Sequence, residues 1–264
     1  MRNRAAFIFA LATASVVLCA SRPSRADELK DLVHRADFVL RGKTTAAVVH
    51  MDVHKSTYER RYSMVYWDDS HGHGDRVLVK ILGPAQWRGQ GTLKVGGKLT
   101  VYNPSADRMT VLSGSMLGES WMGSHFTNDD LVKQTDLARD YVAKELRAWD
   151  GQTADGDKAR FHLIELTAAP RAPVVWPKLQ LELYVAGDQV IPTKETFFFR
   201  AKDKKPIRTM TFSDVKKLSG RVVPSVLTLH VASSPKEYTK LTYDTIKFDV
   251  AIPDSKFTER ALRQ

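Results

Sequence analysis

The sequence predicts a mainly β fold with a few helices, in which a strongly curved antiparallel sheet wraps around helices that cover its concave face. Three observations support this prediction. Short runs of alternating residues recur along most of the 264-residue chain, tight-turn residues separate them, and helical spacing is confined to the two ends and one central insertion. A wide sheet that does not close leaves a concave face, and helices on that face can enclose a ligand-sized space.

The first 26 residues have the organisation of a signal peptide. Arg2 and Arg4 precede an apolar stretch over residues 5–18, and the small residues around Ala26 suit cleavage. The apolar stretch is short for a membrane-spanning helix. We therefore expect an exported, periplasmic protein whose residues 27–264 form one domain, without a linker that would divide them.

Cys19 is the only cysteine, and it lies inside the predicted signal peptide. Val16, Val17 and Leu18 precede it, whereas a lipoprotein signal would place a small residue there, so lipid anchoring at Cys19 is disfavoured. Cleavage after Ala26 would leave a chain without disulfides, thiol nucleophiles or thiolate metal sites.

The charge balance is moderately basic. Loss of the four arginines in residues 1–26 lowers the formal net charge from +10 to +6. An excess of this size favours solubility and can assist docking on anionic lipids or acidic partners. An exported protein has little opportunity to meet nucleic acid, so we expect no nucleic-acid partner.

The elements follow in order along the chain. Leu29, Leu32, Val33, Ala36 and Val39 recur at helical spacing and predict a helix over 27–40, which Gly42 ends. Period-two patterning then predicts a first antiparallel meander, with strands over 45–54, 58–68, 77–81, 92–95, 98–102 and 108–112. A second meander of longer strands is predicted over 141–149, 160–167, 179–185, 192–200, 207–212, 222–231 and 238–248, before a short helix that opens at Pro253-Asp254.

Residues 113–131, the central segment, interrupt the two meanders. The segment combines large apolar side chains with three glycines that permit tight turns. Thr127 can cap a short helix reaching about Gln134, with Asp129 and Asp130 in its favourable first turn. The segment fits a movable cover over an apolar cavity, and it fits equally a connecting loop that plugs a core.

Two groups of residues were considered for chemistry. His71 and His73 lie among glycines that predict a hairpin tip, which favours solvated histidines over a metal site. Ser113, Ser115, Ser120 and Ser124 lie near His125 and Asp129, but the chain lacks the Gly-x-Ser-x-Gly elbow of α/β-hydrolases. Neither a P-loop nor a dinucleotide fingerprint occurs. We therefore expect no enzyme activity, no cofactor and no metal.

Four short sequence motifs resemble those of a known protein family. Gly97-Lys-Leu-Thr-Val-Tyr-Asn-Pro104, Ser115-Met116, Trp121-Met-Gly-Ser-His-Phe-Thr-Asn-Asp-Asp-Leu131 and Asp140-Tyr141 resemble the bacterial outer membrane lipoprotein-sorting protein family, relatives of the LolA-type periplasmic carriers. The resemblance implies a LolA-like half-open β-barrel whose helices close an apolar, acyl-binding cavity. An aspartate is common in this motif where this chain has His125, which leaves the role of that position open.

The resemblance also implies a function and partners. The protein would be a periplasmic chaperone and carrier that binds lipoprotein acyl chains or free lipid and passes them towards the outer membrane, as a monomer. It would meet an inner-membrane exporter and an outer-membrane acceptor. A lipid-responsive sensor or adaptor of an export complex is the alternative, and a hydrolase is less favoured. The candidate cavity and cover residues are Met116, Leu117, Trp121, Met122, Phe126, Leu131, Val49, Met51, Tyr62, Met64, Tyr66, Leu99 and Val101.

Overall fold

One antiparallel sheet organises the molecule. The computed structural model describes residues 24–69, 75–132 and 135–264. Thirteen strands lie in the spatial order β6-β5-β4-β3-β2-β1-β13-β12-β11-β10-β9-β8-β7, and within the described residues the end strands β6 and β7 do not pair with each other, so the sheet is not closed. The strands are β1 (Thr45–Lys55), β2 (Tyr58–Asp68), β3 (Arg76–Gly83), β4 (Gly91–Val95), β5 (Lys98–Asn103), β6 (Arg108–Val111), β7 (Tyr141–Gln152), β8 (Lys158–Ala168), β9 (Lys178–Ala186), β10 (Gln189–Phe198), β11 (Arg208–Leu218), β12 (Arg221–Val231) and β13 (Tyr238–Phe248).

The two predicted meanders are confirmed. Strands β1 to β6 form the first, and β7 to β13 form the second, each with sequential neighbours paired. They join where β1 pairs with β13, with Thr45 opposite Phe248 and His54 opposite Tyr238. The first and last strands of the described domain therefore meet in the middle of the sheet.

Alternation along the strands separates an inner, concave face from an outer face. On β1 the predicted set Ala47, Val49, Met51 and Val53 is buried on the inner face. The prediction for β11 was too short, because residues beyond 212 are largely polar. Pairing with β12 nevertheless extends β11 to Leu218.

Three helices of the described ranges lie on the inner side. Helix α1 (Arg25–Asp37) begins at a capping box between Ser24 and Asp27, and it ends before the predicted position 40. Its buried Val33 and Ala36 pack against leucines of β8 and β9. Helix α2 (Asn128–Val132) ends the central segment, and α3 (Leu137–Asp140), which was not predicted, is capped by Asp136.

The C-terminal segment packs on the outer face. A 3₁₀ turn (Asp254–Phe257) and α4 (Glu259–Arg263) place Phe257 and Leu262 against Leu78, Leu93 and Tyr102. The helix predicted after Pro253 thus exists, but it covers the opposite side of the sheet from α1.

Some predictions fall beyond what the structure describes. The apolar stretch over 5–18, Cys19, His71 and His73 lie outside the described residues, as does the predicted end of the central helix at Gln134. In the ranges that are described, no helix has both the length and the apolar character needed to cross a membrane.

Candidate functional site

A cavity of about 360 Å³ lies between the inner face of the sheet, α1 and the central segment. Most of its wall is apolar and comes from strands of both meanders. The residues that form this apolar wall include Leu40, Val49, Met64, Val77, Val79, Trp121, Phe126, Leu131, Trp176, Leu179, Phe197, Met210, Phe212, Leu227 and Leu241. Its volume falls at the lower end of the range usual for small-molecule sites.

The central segment folds back on itself above this cavity. Two 3₁₀ turns (Gly114–Met116 and Trp121–Gly123) precede α2, and an isolated antiparallel bridge pairs Ser120 with Thr127. Met122 adopts a left-handed conformation with φ 54°. Few residues other than glycine adopt such a φ angle, so the turn depends on its surroundings.

Hydrogen bonds from the sheet hold the central segment in place. Tyr58 Oη donates to the carbonyl of Gly123 at 2.6 Å, and Tyr62 Oη donates to the carbonyl of Met122 at 3.1 Å. Trp121 is buried, and its Nε1 donates to Thr92 Oγ1 at 3.1 Å. The two phenol groups thus stabilise the left-handed turn by donating hydrogen bonds to two of its carbonyl groups.

The predicted cap of the central helix is present. The backbone amide of Asp130 donates to Thr127 Oγ1 at 3.2 Å, and the amide of Thr127 donates to Asp130 Oδ2 at 2.9 Å. The same carboxylate accepts from Arg208 Nη1 at 2.9 Å. Asp130 therefore caps α2 and also ties it to β11.

The structure brings together only part of the predicted set of candidate residues. Those that line the cavity are Val49, Met64, Tyr66, Trp121, Phe126 and Leu131. Met51, Tyr62 and Met122 belong to the same apolar cluster but do not line the cavity.

The other four candidate residues do not line the cavity. Met116 ends the first 3₁₀ turn and Leu117 follows it, and both residues are half-buried. Leu99 is buried and Val101 half-buried on β5, one strand from the sheet edge. The role of all thirteen candidates in ligand contact stays a prediction.

One end of the cavity is charged, which the sequence analysis missed. The charged residues in the wall are Asp37, Arg41, Asp130, Glu195 and Arg208. Arg41 pairs with Asp37 at 3.5 Å, and Arg208 pairs with Asp130 at 2.9 Å. These residues come from α1, the loop after it, α2, β10 and β11, so only the folded sheet brings them together.

Arg208 is held on several sides. Its guanidinium carbon lies 4.7 Å from the ring centre of Trp176 and 4.8 Å from that of Phe197. Both contacts are within the range of cation–π attraction. Arg41 donates to the carbonyl of Thr135 at 3.2 Å in addition to its contact with Asp37. Both arginines are therefore already engaged by protein groups.

Glu195 differs from the other charged residues of the wall. Within the described residues, no hydrogen bond or ion pair involves its carboxylate, which lines the cavity. Burial raises its pKa to about 7, with Asp37 acting in the same direction and Arg41 and Arg208 opposing it. Its protonation state therefore changes near neutral pH.

A β-bulge directs Glu195 inwards. The register of β10 shifts between Pro192 and Lys194, so that Lys194 faces Glu182 while Glu195 faces Leu181. One extra residue reverses which side chains face the cavity. Without the bulge, strict alternation from Pro192 would place Lys194 inside. The sequence signal that could have been noticed is an acid two residues before the apolar Phe197.

The arrangement around His125 does not form a hydrolase triad. His125 Nδ1 lies 2.8 Å from Thr239 Oγ1, and Nε2 lies 3.5 Å from Glu237 Oε2. Burial lowers the pKa of His125, although Glu237 acts in the opposite direction. Ser124 Oγ donates to the carbonyl of Trp121 at 2.7 Å. His125 thus anchors the central segment to β13.

A larger groove of about 680 Å³ lies on the outer face, between β2, β3 and the C-terminal segment. Its wall includes the cationic Lys80, Lys256 and Arg260 beside Trp67. Helix α4 lies along it, and Lys80 Nζ donates to the carbonyl of Leu262 at 2.6 Å. We regard the inner cavity as the candidate site, because the sheet, α1 and the central segment surround it.

Comparisons with known proteins agree with this architecture. A family model described as "-like: Uncharacterized protein" matches residues 73–264, and no curated protein matches the chain. A domain assigned to an outer membrane lipoprotein-sorting protein of Vibrio parahaemolyticus is 16% identical, with 91% of this chain and 100% of that chain covered and a TM-score of 0.70.

Two further solved structures have the same fold. A LolA superfamily protein from Nitrosomonas europaea is 22% identical over 88% of this chain and 98% of its own, with a TM-score of 0.65. A DUF1329 family protein from Desulfovibrio piger is 17% identical over 91% of this chain and 100% of its own, with a TM-score of 0.72. The chain therefore belongs to the family of uncharacterized proteins whose model covers residues 73–264, and its fold is LolA-like.

Proposed function

We propose that the protein is a periplasmic carrier that binds an acyl chain in the inner cavity, without catalysing a reaction. The observation that carries the proposal is the cavity itself, whose wall is largely apolar and whose cover is the central segment. The LolA-like fold supports it, since two relatives of this fold are described as a lipoprotein-sorting domain and a LolA superfamily protein. The predicted signal peptide supports the periplasmic location.

The energetics of such a cavity suit reversible carriage. Each buried methylene contributes about 0.8 kcal/mol to binding of an acyl chain. Several methylenes inside 360 Å³ would hold a lipid firmly. Release then requires the cavity to close or refill, and we infer that Trp121 and Phe126 of the central segment, which line the cavity, fill it.

Cavity filling provides the test. Met210 lines the cavity, and its neighbour Thr211 lies on the other face of β11. The protein is expressed with its signal peptide, purified from the periplasm and extracted, and its lipids are measured by mass spectrometry. We expect wild type and Thr211→Trp to carry acyl lipid in comparable amounts, and Met210→Trp to carry several-fold less, because the indole occupies the space.

Circular dichroism and thermal unfolding establish that both tryptophan variants are folded. Wild-type protein that never carries acyl species would contradict the carrier function. Equal loading of Met210→Trp and wild type would contradict the assignment of the inner cavity as the lipid site.

A further inference from the structure

Among the residues that the structure describes, one carboxylate at the charged end of the cavity has no partner. Two arginines and three carboxylates of these residues line that end. Asp37 pairs with Arg41, and Asp130 pairs with Arg208. Once these pairs are counted, the carboxylate of Glu195 remains, and the residues that the structure describes give it neither a hydrogen bond nor an ion pair.

Neither arginine can turn towards Glu195 without losing contacts that it already makes. Arg208 lies between the rings of Trp176 and Phe197 and also bonds Asp130, which caps α2. Movement of its guanidinium would break these contacts together. Arg41 would likewise lose its hydrogen bond to the backbone carbonyl of Thr135. The two ion pairs are therefore held in place, and the nearby Glu195 carboxylate is left to accept a hydrogen bond from a ligand.

An acceptor in an apolar cavity favours a particular ligand chemistry. A buried polar group without a partner costs free energy, and a ligand that supplies the partner recovers it. Along the sheet, Glu195 has the apolar neighbours Phe197 on its own strand and Met210 on the next, while Asp37, Arg41 and Arg208 share its end of the cavity. An anionic head at this position would face a carboxylate, while each arginine already pairs with a carboxylate and the unbonded Arg208 Nε is buried away from the cavity.

We propose that the ligand is an amphiphile with a hydrogen-bond-donating head, an ammonium or a hydroxyl group, that binds Glu195 while its chain lies along the apolar wall. The inference rests on the proposed carrier function and specifies its ligand class. The charged end then fixes the orientation of the amphiphile, with its head at β10 and β11 and its chain directed towards Trp121 and Phe126.

Three probes with the same chain and different heads test the inference. Dodecylamine, dodecanol and laurate are titrated into delipidated protein at about pH 8, where the Glu195 carboxylate is largely ionised and the amine is protonated. Fluorescence of Trp121 and Trp176, which line the cavity, reports binding. We expect the amine to bind about tenfold more tightly than laurate, as a charge-assisted hydrogen bond would give, with the alcohol in between.

Two variants and a matched control locate the effect. Glu195→Gln should reduce the preference for the amine several-fold, and Glu195→Leu should also weaken binding of the alcohol. Glu182→Gln is the control, because Glu182 pairs with Lys194 on the other face of the sheet. Its preference among the probes should match that of wild type.

The outcomes separate the two proposals. Binding of amine or alcohol in preference to laurate supports the inference, and the order of the two identifies the ammonium or the hydroxyl as the better head. Equal binding of all three probes, or preference for laurate, would overturn the inference while leaving the carrier function intact. Absence of binding by every probe would overturn the carrier function and the inference with it.

Discussion

The carboxylate of Glu195 makes the stability of the protein depend on pH. Folding places its carboxylate in a largely apolar wall and raises its pKa to about 7. The folded state therefore holds the proton more tightly than the unfolded state does. The stability that this group contributes is fully present below the unfolded pKa of about 4.5 and is lost as the pH rises through about 7.

Substitution of Glu195 by glutamine should therefore stabilise the protein in a pH-dependent manner. The difference in unfolding free energy between Glu195→Gln and wild type should increase between about pH 4.5 and pH 8, by roughly 3 kcal/mol at most. Urea unfolding at a series of pH values measures this difference. A difference that stays constant over the range would show that the carboxylate is not buried as the structure has it.

The difference between Glu195→Gln and wild type isolates the pH dependence of stability due to Glu195 from that due to His125. Burial lowers the pKa of His125, so its contribution to stability is present above its unfolded pKa and is lost as the pH falls below about 6.5. This trend has the opposite sign. Because it is common to wild type and Glu195→Gln, it cancels in their difference.

At the scale of elements, hydrogen bonds from β2 hold the left-handed turn of the central segment. Two phenols, from Tyr58 and Tyr62, contact the carbonyls of Gly123 and Met122, where the backbone is left-handed at both residues. A left-handed conformation at a residue other than glycine, as at Met122, costs free energy and persists only when surrounding contacts hold it. Loss of the phenols should therefore release this part of the segment before the sheet.

The double variant Tyr58→Phe/Tyr62→Phe tests this expectation. It keeps both rings and removes two hydrogen bonds, each of which contributes about 1 kcal/mol. Hydrogen exchange of residues 121–126 should accelerate by about tenfold or more, measured by mass spectrometry. Tyr102→Phe, which removes a bond to Asp107 from a ring that packs on the outer face with Phe257 and Leu262, is the control. Unchanged exchange in 121–126 would show that apolar packing alone holds the segment.

Sequence patterns predicted the elements better than the site. Alternation gave the strands because inner positions such as Val49 and Met51 are buried, and Thr127 with Asp130 predicted α2 because capping is local. The 3₁₀ turn at Trp121–Gly123 was not predicted, since its left-handed Met122 depends on contacts with β2.

The charged end of the cavity could not be read from local pattern. Arg41 follows α1, whereas Glu195 and Arg208 lie far along the chain in the second meander. They approach one another only because β10 pairs with β11 and α1 crosses the inner face. In addition, the bulge after Pro192 reverses the side on which Glu195 lies, and simple alternation does not register such a shift.

For the whole molecule, the resemblance predicted the open, LolA-like sheet with helices on its inner face. It did not predict that the C-terminal helix would pack on the outer face through Phe257 and Leu262. The cavity draws walls from both meanders, with Val79 from the first and Leu227 from the second. The candidate site therefore exists only when both meanders are in place.

The pairing of β1 with β13 has a consequence for how the chain reaches this state. Each meander consists of contacts between neighbouring strands, which form early because little chain entropy is lost in closing short loops. The seam from Thr45–Phe248 to His54–Tyr238 closes a loop that contains all the other strands. We infer that the seam forms after the transition state for folding.

Two equivalent substitutions distinguish the seam from a meander interior. Ile246→Val at the seam and Ile164→Val within β8 each remove one buried methyl group and should each destabilise by about 1 kcal/mol. In stopped-flow experiments, Ile246→Val should mainly accelerate unfolding, while Ile164→Val should mainly slow folding. The reverse pattern would mean that β1 and β13 pair first.

If the seam closes last, the newly folding chain has two half-cavities with exposed apolar faces. Its greatest risk of aggregation then comes just before β1 and β13 join.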